Sequence, residues 1–389
     1  MSARFRNPFN HAIRERIPCC IAISCAMLLA GCGTMVPLSD SQLNDAATVL
    51  PSSQASSESQ AELMGRIDRV LDAGRDRRIL ADDVNAAWQV IHGAVCYGKE
   101  LQLTTRDGRR VLALDYLFHG GELRGWELKQ GENLPNSDRI GLAAKLEPGS
   151  YIGQGHPDQW IGYFALAGVP SDEPIEFAGK QFQLIDWIRQ SQRDVSSNRL
   201  QEFSWTLMAL CTYLPDEPTW RAVDGETWSW ERLVEAELQF DLHESACGGA
   251  HRLVGLAKAV QAKRRAALPD SPVWQAAEQV VSESLEAART MRSSDGSLSS
   301  NYFRRPGVTR NLTAALAGGG HVFEFVAVAA DDRTLAEPWV AQAAERLTTL
   351  LESTDQVDMD CGALYHGLNG LRIYRSRMGK LPVISDRAD

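Results

Sequence analysis

The sequence lacks most of the short motifs that identify common catalytic folds. It contains no Walker loop, no G-x-G-x-x-G, no G-x-S-x-G, no H-E-x-x-H and no C-x-x-C. Nucleotide binding, serine hydrolysis and zincin chemistry therefore have no support from motifs in this chain.

Positive charge and cysteine are also scarce. The 389 residues carry 40 Lys and Arg against 50 Asp and Glu, so the formal net charge is −10 and nucleic-acid binding is disfavoured. Eight cysteines are too few for a disulfide scaffold of this length. Hydrophobic residues, in contrast, make up 44% of the chain, which is enough for a large core and excludes a disordered protein.

The N-terminus has the layout of a secretory signal. Four arginines in the first 16 residues precede an almost uncharged apolar run, Pro18 to Ala30. The next segment, Leu29-Ala30-Gly31-Cys32, resembles the lipobox of bacterial lipoproteins. The resemblance implies cleavage before Cys32, lipid attachment to that cysteine and residence in the bacterial cell envelope. Because Gly33 rather than Asp follows the cysteine, the outer membrane or periplasmic face is favoured.

The chain divides into three predicted regions. Residues 1–31 form the signal peptide, residues 32–60 a flexible tether rich in Ser, Ala and Gln, and residues 61–389 the folded domain. Loss of four Arg and one Glu with the signal changes the net charge from −10 to −13. The membrane is then a partner only through the lipid anchor, since an anionic surface repels an acidic domain.

Helical periodicity dominates the folded domain. The exception is Leu101 to Lys129, where short alternating runs are broken by Asp107-Gly108 and Gly120-Gly121. An Asp-Gly between such runs is a strong hairpin cue. We therefore predict an all-α fold with a small antiparallel β insert near residues 101–129. Beyond residue 155 we expect helices joined by short loops, with no apolar run of 18 residues that could span a membrane.

Six of the predicted helices share a cluster of small, polar and aromatic residues near one end. The marker positions, separated by 64, 48, 47, 70 and 45 residues, are His92, His156, Ser204, His251, His321 and His366. A period of roughly 45–50 residues suits one helical hairpin per repeat. About six hairpins predict an α/α toroid whose inner helices surround a cavity. An open solenoid explains the period equally well, but polar and Trp-rich inner faces favour the closed ring.

Short segments resemble the repeat of the squalene-cyclase and prenyltransferase superfamily. One segment follows a predicted helix, as the Asp-Gly turn of that repeat does: Asp295-Gly296-Ser297-Leu298. A second, weaker resemblance to the same turn is Asp224-Gly225-Glu226-Thr227-Trp228. Asp358-Met359-Asp360-Cys361 resembles the D-x-D-D acid motif of class II cyclases, which implies that Asp360 protonates an alkene. The resemblance implies a toroid over residues 61–380.

Histidines and cysteines at helical spacing are candidate metal ligands. Cys247 and His251 are four residues apart, so both can face one ion, and His366 is the third candidate. Zinc is the cofactor that such donors favour. Protein prenyltransferases and lanthionine cyclase-like proteins share the toroid and hold zinc, and Cys96-Tyr97-Gly98 resembles a segment of the latter. The alternative is that each histidine hydrogen-bonds a neighbouring helix in a polar core.

The remaining candidates suit ligand binding or acid–base chemistry. The ligand-binding candidates are Trp88, His92, His156, Gln159, Trp205, Tyr302 and Tyr365. The catalytic candidates are Asp360, Glu324 and His321. We expect a membrane-anchored envelope lipoprotein that binds an apolar or glycan ligand, or a partner, at a central cavity. The alternative is an enzyme of the terpenoid-cyclase-like or carbohydrate-active toroid type that uses Asp360 and the cavity histidines.

Overall fold

Helices account for most of the secondary structure, and the sheets are small. The computed structural model describes residues 53–199 and 202–380, and these residues contain 13 α-helices. The helices are α1 (Ser53–Arg77), α2 (Ala87–Tyr97), α3 (Ala113–Phe118), α4 (Gln159–Ala167), α5 (Leu184–Asp194), α6 (Ser204–Tyr213), α7 (Trp230–Glu237), α8 (Ala250–Arg265), α9 (Pro272–Thr290), α10 (Leu312–Ala329), α11 (Asp332–Leu335), α12 (Pro338–Ser353) and α13 (Cys361–Met378).

The strands of the described residues form one three-stranded sheet and three hairpins. They are β1 (Leu80–Ala81), β2 (Gln102–Thr104), β3 (Arg110–Leu112), β4 (Leu128–Asn133), β5 (Ile140–Ala144), β6 (Pro174–Phe177), β7 (Lys180–Gln183), β8 (Thr219–Arg221) and β9 (Thr227–Ser229). The sheet order is β1-β2-β3, with β1 parallel to β2, and the hairpins are β4–β5, β6–β7 and β8–β9. All other pairings are antiparallel.

The contacts among six buried helices close on themselves. α2 packs on α4, α4 on α6, α6 on α8, α8 on α10 and α10 on α13, and α13 returns to α2. The marker residues of the sequence repeat lie in these six helices or, for His156, directly before α4. The remaining helices pack against them: α9, for example, contacts α8 and α10, and α12 contacts α10 and α13.

Glycines allow neighbouring helices of this ring to approach closely. A Cβ atom at Gly255 of α8 would lie 2.8 Å from the backbone of Ser204 on α6. A Cβ atom at Gly320 of α10 would lie 3.0 Å from the Cα atom of Gly367 on α13. Alanine at either position would therefore push the two helices apart.

The predicted β insert is present, but it is smaller and less isolated than expected. β2 and β3 pair across Asp107-Gly108, where Gly108 adopts a φ of 82°. Within residues 101–129, however, α3 is helical, and β4 continues beyond the predicted end. The expectation that nearly everything after residue 155 is helical was also wrong, because β6–β7 and β8–β9 lie there.

One helix departs from the prediction that no apolar run could span a membrane. α10 has a mean hydropathy of 1.5 over 18 residues, so its length and composition alone would suit a span. In the fold, 61% of this segment is buried, and α10 packs between α8 and α13. Its apolar character is explained by this core position.

The residues predicted to form the signal peptide and the lipid anchor precede the part of the chain that the structure describes. Cys32 and the predicted signal peptide, residues 1–31, lie outside the described residues. α1 begins at Ser53, so the end of the predicted tether, residues 32–60, is helical.

Candidate functional site

Aromatic and imidazole rings from all six ring helices meet in one group, here named the axial cluster. Its members are His92 (α2), Tyr163 (α4), Trp205 (α6), His251 (α8), His321 (α10) and His366 (α13). The ring centroids of His321 and His366 are 4.0 Å apart, and that of His251 is 5.1 Å from His366 and 4.7 Å from Trp205. Each member exposes 7% of its surface or less. The structure thus places four of the candidate histidines in one buried group.

One side of the axial cluster is a continuous hydrogen-bond chain. Glu324 Oε2 lies 2.7 Å from His366 Nδ1, and His366 Nε2 lies 3.3 Å from the hydroxyl of Tyr163. The same hydroxyl lies 3.0 Å from His92 Nε2, and His92 Nδ1 donates to the backbone carbonyl of Trp88 at 2.6 Å. The second oxygen of Glu324 accepts from Asn369 Nδ2 at 2.6 Å.

The donors in this chain can be assigned by elimination. His92 spends its proton on the Trp88 carbonyl, so its Nε2 accepts from Tyr163. Tyr163 has one proton, so its oxygen can only accept from His366 Nε2. Because burial lowers the pKa of His366 and keeps its ring neutral, His366 then accepts at Nδ1 from a protonated Glu324 or shares a proton with it. Burial raises the pKa of Glu324 to about 7, which agrees with a retained proton.

The other side of the axial cluster, here named the open side, contains buried nitrogen atoms without hydrogen-bond partners. Within the described residues, buried polar atoms that lack a hydrogen-bond partner include both ring nitrogens of His251, Nε2 of His321 and Nε1 of Trp205. His321 donates through Nδ1 to the carbonyl of Ala317 at 2.7 Å, so its Nε2 holds a lone pair. Buried polar groups are rarely left unpaired in folded proteins, because each costs about 1–3 kcal/mol.

Cys247 is presented to these open nitrogens by an unusual turn. Cys247, Gly248 and Gly249, directly before α8, all have left-handed backbone angles, with φ values of 50°, 60° and 80°. Left-handed angles are strained for a residue with a Cβ atom and are frequent at functional sites. The Cys247 sulfur and nitrogens of His251 and His321 all lie within 4.8 Å of one another. These three residues could hold a metal ion, whereas His366 is engaged by Glu324 and Tyr163.

Burial keeps the imidazoles of the cluster neutral. It lowers the pKa of His92, His321 and His366 to about 3, and lowers that of His251 well below its usual value. Burial, followed by the nearby carboxylate of Asp360, raises the pKa of Cys247 to about 12. Glu324 and Glu202 also act on this thiol. The candidate donors of the cluster are therefore neutral.

A half-buried rim adjoins the axial cluster. His156 Nδ1 lies 2.8 Å from Glu202 Oε2, and the His156 ring is 6.2 Å from that of Trp205. The centroid of the Trp88 ring lies 3.9 Å from that of His92, with the two planes tilted by 39°, and the Tyr302 ring lies 5.8 Å from that of His321. These ligand-binding candidates thus lie beside the axial cluster.

Three further predicted site residues have hydrogen-bond partners of their own. Asp360 is exposed and caps α13, where its Oδ1 accepts from the backbone N–H of Ala363 at 2.9 Å. Tyr365 packs against Tyr97, with ring centroids 6.2 Å apart, and its hydroxyl lies 3.5 Å from the carbonyl of Arg78. Gln159 accepts from the backbone N–H of Gly155 at 3.1 Å.

Tyr163 and Asn369 were missed as site residues. Tyr163 lies four residues after Gln159, which places both on one face of α4. Asn369 lies three residues after His366 on α13. Helical spacing from Gln159 and His366 would have found both.

Comparison of the chain with protein-family models, with curated proteins and with solved structures finds no match. The functional argument therefore depends on the geometry of the axial cluster.

Proposed function

We propose that this protein is a lipid-anchored component of the bacterial cell envelope that binds a small ligand at one end of an α/α toroid. The anchor would be Cys32, and the ligand site would be the axial cluster with its rim. The toroid is supported by the closed order of helix contacts, in which α13 returns to α2. Outer helices such as α9 and α12 alternate along the chain with ring helices.

The observation that carries the ligand site is the open side of the axial cluster. His251 exposes 7% of its surface, and neither of its ring nitrogens has a partner. A histidine retained only for the fold would be expected to have its ring nitrogens hydrogen-bonded, as His92 has to the carbonyl of Trp88 in its own helix and to Tyr163 of α4. The unpaired atoms of His251, His321 and Trp205 therefore favour a bound ligand as their partner.

The rim favours a glycan or another ligand with both polar and apolar faces. Trp88 and Tyr302 offer ring faces, while His156 and Glu202 offer hydrogen-bonding groups. An apolar ligand or a partner protein would use the same rings. Nucleic acid is disfavoured by the acidic charge of the domain.

A second candidate function is an acid–base enzyme of the cyclase-like or carbohydrate-active toroid type. It is favoured by the proton-bearing chain from Glu324 through His366 to Tyr163, and by the His156–Glu202 pair, in which a carboxylate orients an imidazole. Asp360, the acid implied by the resemblance, would act from the exposed start of α13.

Paired histidine substitutions test whether the open side serves a ligand or the fold. In the metal-free protein, His251→Leu should leave the free energy of unfolding unchanged or raise it, because it removes unpaired buried nitrogens. The matched variant His92→Leu should lower it by about 1–3 kcal/mol, because it leaves Tyr163 without its acceptor. Chemical denaturation in a chelator measures both. A loss for His251→Leu as large as that for His92→Leu would assign His251 to the fold and contradict the ligand site.

The anchor is tested separately. Cys32→Ala should move the protein from the membrane fraction to the soluble periplasmic fraction or leave it unprocessed. Retention of a processed Cys32→Ala variant in the membrane would contradict lipid attachment at this residue.

A further inference from the structure

Three side chains on the open side of the axial cluster form a set of metal-binding donors. The Cys247 sulfur and one ring nitrogen each of His251 and His321 lie within 4.8 Å of one another. We infer that Cys247, His251 and His321 bind a zinc ion through the thiolate sulfur and one nitrogen of each imidazole. This inference rests on the proposed ligand site and names its inorganic component.

The distances suit an ion of this size after a small closure. Zinc binds sulfur at about 2.3 Å and nitrogen at about 2.0–2.1 Å in tetrahedral geometry, so its ligand atoms lie roughly 3.5 Å apart. Atoms that are already within 4.8 Å need to approach by about 1 Å. Cys247 lies in the left-handed turn before α8 and is half-buried, so the turn and the thiol rotamer can supply this movement.

The histidines are prepared to act as ligands. His321 donates its Nδ1 proton to the Ala317 carbonyl, which fixes the ring and leaves the Nε2 lone pair free. His251 is more than nine-tenths buried, and both of its nitrogens lack a partner, so either can bind the ion without breaking a hydrogen bond. Such unpartnered buried nitrogens are what distinguish this set from an ordinary polar core.

The donor set also fixes the charge of the site. Binding replaces the thiol proton, which leaves to solvent, and the thiolate with two neutral imidazoles leaves one positive charge on the ion. Three protein ligands leave the fourth tetrahedral position for water or for the organic ligand, as in catalytic rather than structural zinc sites.

Cobalt provides a direct test, because a thiolate–cobalt bond gives a near-ultraviolet charge-transfer band and tetrahedral cobalt gives intense visible bands. The full chain, extracted in detergent without a histidine tag and treated with chelator, is titrated with Co²⁺ and then with Zn²⁺. We expect about one Co²⁺ per chain, both sets of bands, and their loss when Zn²⁺ displaces the cobalt. Cys247→Ser should abolish the charge-transfer band, and His251→Gln or His321→Gln should weaken Co²⁺ binding by about 100-fold or more.

Cys361→Ser is the matched control, since Cys361 is also half-buried and its thiol is affected by Asp360. It should bind Co²⁺ like the wild type, and circular dichroism should show that every variant retains its helices. The inference is overturned if the wild type shows no tetrahedral bands, or if Cys247→Ser keeps the charge-transfer band. If cobalt does not bind but His251→Leu is still stabilising, the zinc site fails and the proposed ligand site stands. If cobalt does not bind and His251→Leu is strongly destabilising, both fail.

Discussion

His251 and Arg252 are consecutive buried residues of α8, but their surroundings differ completely. Arg252 donates to Glu237 Oε2 at 2.7 Å and to Ser245 Oγ at 2.9 Å, and its guanidinium lies 4.0 Å from the centre of the Phe240 ring. His251, on the other side of the same helix turn, has no hydrogen-bond partner for either nitrogen. Both residues are less than one-tenth exposed.

The difference separates a polar group that serves the fold from one that serves a ligand. Around Arg252, both charged side chains have hydrogen-bond partners, and Glu237 additionally accepts from the backbone N–H of Phe203 at 2.5 Å. Burial still raises the pKa of Glu237 to about 7. Around His251, the fold leaves the cost of burial uncompensated. Natural sequences tolerate such local conflicts mainly at functional sites.

The largest effect on the free energy of unfolding is expected from loss of the hydrogen-bonded ion pair between Arg252 and Glu237. Arg252→Met leaves the Glu237 carboxylate buried without its counter-charge and should lower the free energy of unfolding by about 3–5 kcal/mol. Adding Glu237→Gln removes the charge but keeps an acceptor for Phe203, so the double variant should recover most of the loss. Urea denaturation of the three proteins measures both steps. A double variant as unstable as Arg252→Met would mean that packing rather than charge determines the loss.

The open side should respond to pH instead. Burial holds the pKa of His251 well below its unfolded value of 6.5, so the unfolded chain binds the extra proton as the pH falls below 6.5. This histidine therefore contributes stability above that pH and loses about 1.4 kcal/mol for each unit below it. In the presence of chelator, the stability of His251→Leu relative to the wild type should therefore rise by about 1.4 kcal/mol for each pH unit between pH 6.5 and 4.5. Parallel stability curves for the two proteins would show that His251 is already protonated or exposed.

Tyr163 marks the boundary between the two kinds of environment, since its hydroxyl bonds both His92 and His366. Tyr163→Phe removes the central member of the chain and leaves two imidazole nitrogens unpaired, which should cost about 2 kcal/mol. Tyr365→Phe is the control, because its hydroxyl makes one long contact of 3.5 Å, and it should change stability by less than about 0.5 kcal/mol. If denaturation shows equal losses of stability for Tyr163→Phe and Tyr365→Phe, the Tyr163 hydroxyl is no more important to the fold than a peripheral tyrosine hydroxyl, and this prediction is wrong.

The helical part of the fold and the convergence of the histidines could be predicted because both follow from spacing. The six markers recur at a roughly regular interval, and helix geometry brings residues at one end of each repeat together. The hairpin β6–β7 could not be found in this way. Its turn uses Ala178 and Gly179 with φ values of 51° and 72°, and alanine gives no signal for a left-handed turn.

The partners of each polar side chain were beyond the sequence. Cys247 and His251 were recognised as a pair from their spacing, but the third donor depends on ring positions across α10 and α13. His366 is held by Glu324 and Tyr163, while His321 faces the open side with a free nitrogen. These are consequences of tertiary packing, which a one-dimensional pattern does not contain.

Asp360 was predicted from a sequence motif to be an acid, and in the structure its side chain makes a helix-cap hydrogen bond. Its substitution is the prediction with the smallest expected effect. Its Oδ1 accepts the backbone N–H of Ala363, which is the bond of a helix cap. Asp360→Ala should therefore cost about 1 kcal/mol, whereas Asp360→Asn should be nearly neutral, because Asn caps a helix as well as Asp does. Neither variant should remove the tetrahedral cobalt bands, since Asp360 is not among the three donors. If Asp360→Asn is stable but loses turnover once a substrate is known, Asp360 acts as an acid in addition to capping α13, because Asn keeps the cap but carries no acidic proton.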